Sequence, residues 1–224
     1  MKYQILGLHN SGTNLLAEIL NNLNLDCNIS TPSKGSTILW KHTLNIEEII
    51  KLQQNKNIKI IILLRNPFFW FQSFLKTDYI NFINNKNPIF KRELLFNSKI
   101  FYNEKDKYTI HFNNLIELFN YYITIYEKLN NNDNYFFITY EEIIYKTKIK
   151  ELFNFLNINY TKDMVDRYDN ILKVPSKKHG NPTDISTSLI KNEYKNIEKI
   201  YTKDEINYIN NLLNNDKYKF IQFL

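Results

Sequence analysis

Glycine is nearly missing from this chain: Gly7, Gly12, Gly35 and Gly180 are the only four in 224 residues. Arginine is as scarce, with Arg65, Arg92 and Arg167 alone, while lysine fills the generic cationic positions. Proline occurs five times and cysteine once, at Cys27. A lone cysteine excludes an internal disulfide and any cysteine metal cluster. The four histidines are scattered without ligand spacing, so no metal is implied. No apolar run reaches membrane-spanning length, and the longest, 58-IKIIILL-64, suits a buried strand. No signal peptide is visible, because 3-YQILGL-8 is short and breaks at Gly7. The lysines are spread along the chain, and nothing reads as a basic arm with interleaved aromatics. The expectation is a soluble cytoplasmic protein with neither a membrane nor a nucleic acid as partner.

What is present points to a folded domain. At 43% hydrophobic and 15% aromatic, the chain can bury a sizeable core, and residues 1–224 read as a single domain. The bias toward Asn, Ile, Lys, Tyr and Phe fits A/T-rich codons, as in a large DNA virus or an AT-rich microbe. That bias makes each retained glycine and arginine informative. The net charge of +6 suits either a solvated lysine surface or attraction to an anionic ligand.

Strand and helix patterns alternate. Residues 3–8 read as a strand, and 13-TNLLAEILNNL-23 has helical apolar spacing. A short strand is expected within 24–29, and another over 37-TILWKH-42. Residues 45–55 read as a helix with Asn45 as its cap, and 58–64 as a central parallel strand, apolar on both faces. Residues 68–76 look helical, 77–110 resist assignment, and 113–129 form a strong helix. A strand over 135–140 precedes a helix or a broken pair over 141–158, and further helices are expected at 161–174 and 203–214. This alternation predicts an α/β fold, a three-layer arrangement with a central, mainly parallel sheet flanked by helices.

Two stretches carry candidate chemistry. In 7-GLHNSGTNLL-16 the glycines Gly7 and Gly12 keep the spacing of a nucleoside-triphosphate loop, but Thr13 stands where its lysine belongs. Small residues before a helix N-terminus let an anion approach unsatisfied amides, and Ser11 and Thr13 add hydroxyls. An ordinary strand-to-helix turn with Thr13 as cap explains the residues equally well. In 60-IIILLRNPFFWFQSFLK-76, Arg65 ends the most strand-like segment, at the edge where open parallel sheets bind ligands. Ser73 follows eight residues later, about two helical turns on. Taken singly, these are a surface arginine and a serine on a helix face.

Together and in order, the stretches resemble the sulfotransferases that use 3′-phosphoadenosine 5′-phosphosulfate (PAPS). That family has a strand followed by P-K-S-G-T-T-W-L, where this chain has 9-HNSGTNLL-16. It has a strand ending in R-N-P with a serine eight residues past the arginine, matched by Arg65, Asn66, Pro67 and Ser73. A third signature, Y-E-D/E before a helix ending in F-L-G/N, is matched by 139-TYEEIIYKTKIKELFNFLNI-158.

The resemblance implies that PAPS is the co-substrate and that an acceptor hydroxyl receives its sulfuryl group. It implies that Asn10, Ser11, Gly12, Thr13 and Asn14 hold the 5′ end of the donor, and that Arg65 and Ser73 hold the 3′-phosphate. Tyr140 is placed near the adenine, and Lys177, Lys178 and Gly180 match part of a basic segment that contacts the 3′-phosphate. His42, in 40-WKH-42, matches the family's catalytic base after this strand. Asn10 departs from the pattern, since the family has Lys or Arg there; Lys41 is the expected replacement for that charge. His9 occupies the family's proline position and is expected to be structural. Trp40, Trp70 and the run 119-FNYYITIY-126 read as core, with lining of the acceptor pocket by part of the run as the alternative. A P-loop nucleotide kinase and a non-catalytic nucleotide-binding module are the rival readings. Glycan, small alcohol, phenol and protein tyrosine acceptors all stay open, with a glycan preferred, and the oligomeric state is open.

Overall fold

The computed structural model describes residues 2–25, 27–28, 39–55, 57–75, 95–96, 99–103, 109–129, 133–172 and 197–213. The chain begins with strand β1 (Lys2–Gly7), helix α1 (Thr13–Asn22) and the short strand β2 (Cys27–Asn28). Helix α2 (Ile46–Gln53), strand β3 (Ile58–Leu64) and helix α3 (Pro67–Leu75) follow. A hairpin of β4 (Ile100–Asn103) and β5 (Thr109–Phe112) leads into helix α4 (Leu115–Glu127) and strand β6 (Tyr135–Thr139). Helices α5 (Tyr140–Tyr145), α6 (Ile149–Leu156), α7 (Lys162–Leu172), α8 (Ile197–Ile200) and α9 (Lys203–Leu212) complete the described residues.

Four strands form one parallel sheet in the order β2-β1-β3-β6. Side chains alternate across a strand, so β3 feeds both faces. Ile60, Ile62 and Leu64 join a core with residues of α2, α3 and α4, whereas Ile61 and Leu63 join a second core with residues of α1, α5, α6 and α7. The near-continuous apolar run of β3 is the sequence of a strand covered twice, and the three-layer α/β expectation holds. None of the described helices is long and apolar enough to cross a membrane.

Register decides where the site can lie. Gly7 at the end of β1 pairs with Leu63, and Leu64 at the end of β3 pairs with Thr139 at the end of β6. Three strands therefore stop together, and the turns that follow them share one sheet edge. Local signals start the neighbouring helices. Asn45 caps α2 by accepting from the Glu48 N–H at 3.2 Å, as its position predicts. Asn114 caps α4 through Glu117, and Thr139 with Glu142 makes a capping box on α5.

Several expectations change. The described residues of 37–42, Leu39 to His42, form no strand. The Trp40 carbonyl accepts from the Thr43 N–H at 3.0 Å, closing a turn, and one main-chain bond ties Lys41 to β1, from the Gly7 N–H at 2.8 Å. The β-prone side chains signalled a strand, but on this edge of β1 ladder pairing is made with β2, at Tyr3 and Gln4. The unassigned region holds a β-hairpin, β4–β5, whose short strands lack clear alternation. The 141–158 segment is two helices, broken where Lys146 takes φ 60°.

Candidate active site

The turn after β1 is built to come close to other backbone. A Cβ on Gly7 would lie 2.5 Å from the Leu63 carbonyl oxygen of β3 and 2.9 Å from Ser11 Oγ. Gly12 takes φ 95°, and a Cβ there would meet the Tyr140 ring at 2.5 Å. Both positions explain why a glycine-poor chain keeps a glycine. Ser11 is fully buried, and its hydroxyl donates to the Leu8 carbonyl at 2.7 Å, folding the turn on itself. Gly12 ends the turn as the N-cap of α1; no side chain caps this helix, and its first turn holds no acidic residue. The N-terminal amides therefore carry the partial positive charge that favours an anion.

The turn after β3 grips this loop from the side. Arg65 Nη1 donates to the Asn10 carbonyl at 2.9 Å. Trp70 Nε1 donates to the His9 carbonyl at 2.6 Å, and Asn10 Nδ2 donates to the Ser73 carbonyl at 3.2 Å. Asn10 itself takes φ 60°, a left-handed conformation that asparagine tolerates better than most side chains. The Arg65 guanidinium also lies over the Tyr140 ring, 4.7 Å from its centroid, and its Nε is buried with no hydrogen bond among the described residues. The α5 start thus enters the same corner. Glu141, fully buried, accepts the Asn66 N–H at 3.1 Å and tethers the R-N-P turn to α5.

On the other side of the loop stands 40-WKH-42. Lys41 Nζ donates to Asn14 Oδ1, which places an ammonium against the first turn of α1. His42 is buried, and its Nδ1 lies 2.7 Å from the Gly7 carbonyl oxygen. A carbonyl only accepts, so Nδ1 carries the proton; in the neutral ring the basic lone pair is then on Nε2. The His42 main-chain carbonyl accepts from the Tyr102 and Tyr122 hydroxyls, the latter at 3.0 Å. His9 stacks on His42 with ring centroids 3.9 Å apart and planes 24° from parallel. Trp40 stands nearly perpendicular to both rings, at 5.3 Å from His9 and 5.4 Å from His42. Burial holds His9 well below the usual imidazole range, and the neighbouring His42 and Lys41 push in the same direction.

Asn10, Ser11, Gly12, Thr13, Asn14, Lys41, His42, Arg65, Ser73 and Tyr140 thus all lie around one sheet edge. Lys177, Lys178 and Gly180 fall outside the described residues. Sequence reasoning did not single out Tyr102, Tyr122 or Glu141 for this region. Tyr102 lies in a stretch without readable periodicity, Tyr122 was hidden in an aromatic run, and Glu141 stood unassigned inside the third signature. Trp70 is core, as expected, yet its indole also fastens the loop. Among the described residues no cluster of three or more His, Cys, Asp or Glu side chains has the arrangement of a metal site.

A glycine loop opening an uncapped helix, an arginine turn beside it and a neighbouring lysine define an anion-handling α/β protein of the P-loop type. The sequence profile of the sulfotransferase domain matches residues 30–222. The chain belongs to the sulfotransferase family and is an enzyme of that class. The profile match begins after the glycine loop, so it stands independently of the first signature. Among solved structures, the mouse sulfotransferase SULT7A1 complexed with PAP shares the fold, with a TM-score of 0.58 at 17% identity, over 94% of this chain and 82% of that one. No curated protein sequence matches the chain.

Proposed function

We propose that residues 1–224 act as one sulfotransferase domain that moves the sulfuryl group of PAPS to an acceptor hydroxyl. The acceptor oxygen attacks sulfur, the bond from sulfur to the bridging phosphate oxygen breaks, and 3′-phosphoadenosine 5′-phosphate (PAP) leaves. The observation that carries this reading is the junction of the two turns: Arg65, from the end of β3, reaches the Asn10 carbonyl of the glycine loop at 2.9 Å. One donor with a phosphate at each end then spans both turns. In this assignment the amides at the start of α1, with Gly12, Thr13 and Asn14, take the 5′ end, and Ser11 shapes the loop through its bonds to the Leu8 carbonyl. Arg65 and Ser73 take the 3′-phosphate, with Lys177, Lys178 and Gly180 as further contacts, and Tyr140 stands on the adenine side.

Lys41 faces charge developing on the bridging oxygen, a role of large electrostatic weight. His42 takes the acceptor proton at Nε2, since its other nitrogen donates to Gly7. Positioning supplies most of the remaining acceleration. A glycan is the proposed acceptor class, ahead of small alcohols, phenols and protein tyrosines.

Calorimetry with PAP tests the donor site. Arg65→Ala should weaken binding about 10- to 150-fold, the worth of a lost charge-assisted hydrogen bond. Equal affinity in parent and variant rejects the assignment of Arg65. His42→Ala should keep PAP affinity and lose transfer from labelled PAPS; retained turnover assigns the base elsewhere. Magnesium-dependent binding of ATP in preference to PAP would restore the nucleotide-kinase reading. PAP binding without transfer to any acceptor in a panel would favour a non-catalytic module, for which Asn10 at the family's cation position is the supporting observation.

A further inference from the structure

We infer that His9 is a positioning residue that stabilises the imidazolium form of His42 through their stacked rings. This rests on the proposed role of His42 as proton acceptor. The two rings lie 3.9 Å apart at 24° and are both buried. A cation close above a π face is attracted to it, more strongly where water is excluded. Two imidazolium rings at that distance would repel, so only one of the pair charges at a time.

The surroundings decide which. His9 is hemmed by Trp40 at 5.3 Å, Tyr102 at 5.9 Å and His42 itself. Burial first, and then the adjoining His42 and Lys41, hold its pKa down and keep it neutral. His42 instead has Nδ1 on the Gly7 carbonyl, at 2.7 Å. That bond strengthens when the ring gains a second proton at Nε2. The Lys41 ammonium is drawn to Asn14, and the Tyr102 and Tyr122 hydroxyls bond the His42 main-chain oxygen. Neutral His9 therefore offers its face to the charge that His42 acquires during transfer. Its own main chain is held by Trp70 Nε1, a bond that survives any substitution of the side chain.

The test compares His9→Phe, which keeps a π face, with His9→Leu, which keeps apolar bulk without one. In PAP-bound protein, ring-labelled NMR titration should give His42 a pKa near the parent value in the Phe variant and roughly half to one unit lower in the Leu variant. At saturating PAPS, kcat should fall about tenfold for Leu and little for Phe, with KM for PAPS unchanged in both. Equal His42 pKa values in the two variants overturn the inference, whatever happens to kcat. If His42→Ala retains turnover, the assignment of the base fails instead, while the titration still reports whether the stack favours the charged ring.

Discussion

At the scale of single residues, the position that departs from the family is the one to examine first. Asn10 sits at φ 60° and bonds the Ser73 carbonyl through its side chain. A lysine there would lose that bond and strain a left-handed backbone by about 1 kcal/mol. At the first turn of α1 a cation comes instead from Lys41, held on Asn14. If Lys41 replaces the loop cation, Lys41→Ala should lower kcat about 100-fold, near 2.7 kcal/mol of transition-state stabilisation, with a smaller effect on PAP affinity. Adding Asn10→Lys to that variant should restore part of the lost rate. Single-turnover transfer from labelled PAPS measures both; an unchanged rate in Lys41→Ala removes the residue from the mechanism.

At the scale of elements, the turn that carries His42 is held from outside the sheet. Tyr102 in β4 and Tyr122 in α4 both donate to the His42 carbonyl, and their hydroxyl oxygens lie 3.3 Å apart. A hairpin and a helix from different parts of the chain thus converge on one buried acceptor. Either tyrosine alone keeps that oxygen bonded, so Tyr102→Phe or Tyr122→Phe should each cost under about 1 kcal/mol. The double variant leaves the carbonyl without both donors and should cost more than the sum of the singles, roughly 1–3 kcal/mol. Denaturant midpoints of the four proteins measure the difference; strict additivity would show that the two hydroxyls do not act on a common group.

The same scale shows what could be read locally. The cap Asn45, the helix from 113 to 129 and the doubly buried strand 58–64 were legible because caps and apolar periods are short-range signals. The 37–42 stretch misled because its side chains suit a strand, while pairing depends on which edge of β1 is taken. The hairpin β4–β5 was not legible, since strands of four residues each carry too little alternation to stand out.

Over the whole molecule, a buried neutral imidazole makes stability depend on pH. The His9 pKa lies below its ordinary value of 6.5 in the folded protein. Between the folded value and 6.5 the unfolded chain binds more protons, so unfolding free energy rises with pH across that window. The contribution is complete above the unfolded value and is lost as pH falls toward the folded one. The thermal midpoint should therefore drop on acidification from about pH 7 to about pH 5, and His9→Phe should make that drop shallower. Identical slopes for parent and variant would mean that His9 titrates normally.

The β1–loop–α1 unit, the buried strand β3 with its R-N-P turn and the three-layer α/β class were determined by the sequence alone. Each rests on residues within a turn or two of one another, and scarcity made the glycines and arginines conspicuous. Only the tertiary structure decided that His9 lies on His42, that Lys41 reaches Asn14 and that Arg65 holds the Asn10 carbonyl. The last of these joins residues 55 positions apart. Such contacts follow from the parallel register that brings β1, β3 and β6 to a common end, and register is a property of paired strands rather than of any one of them.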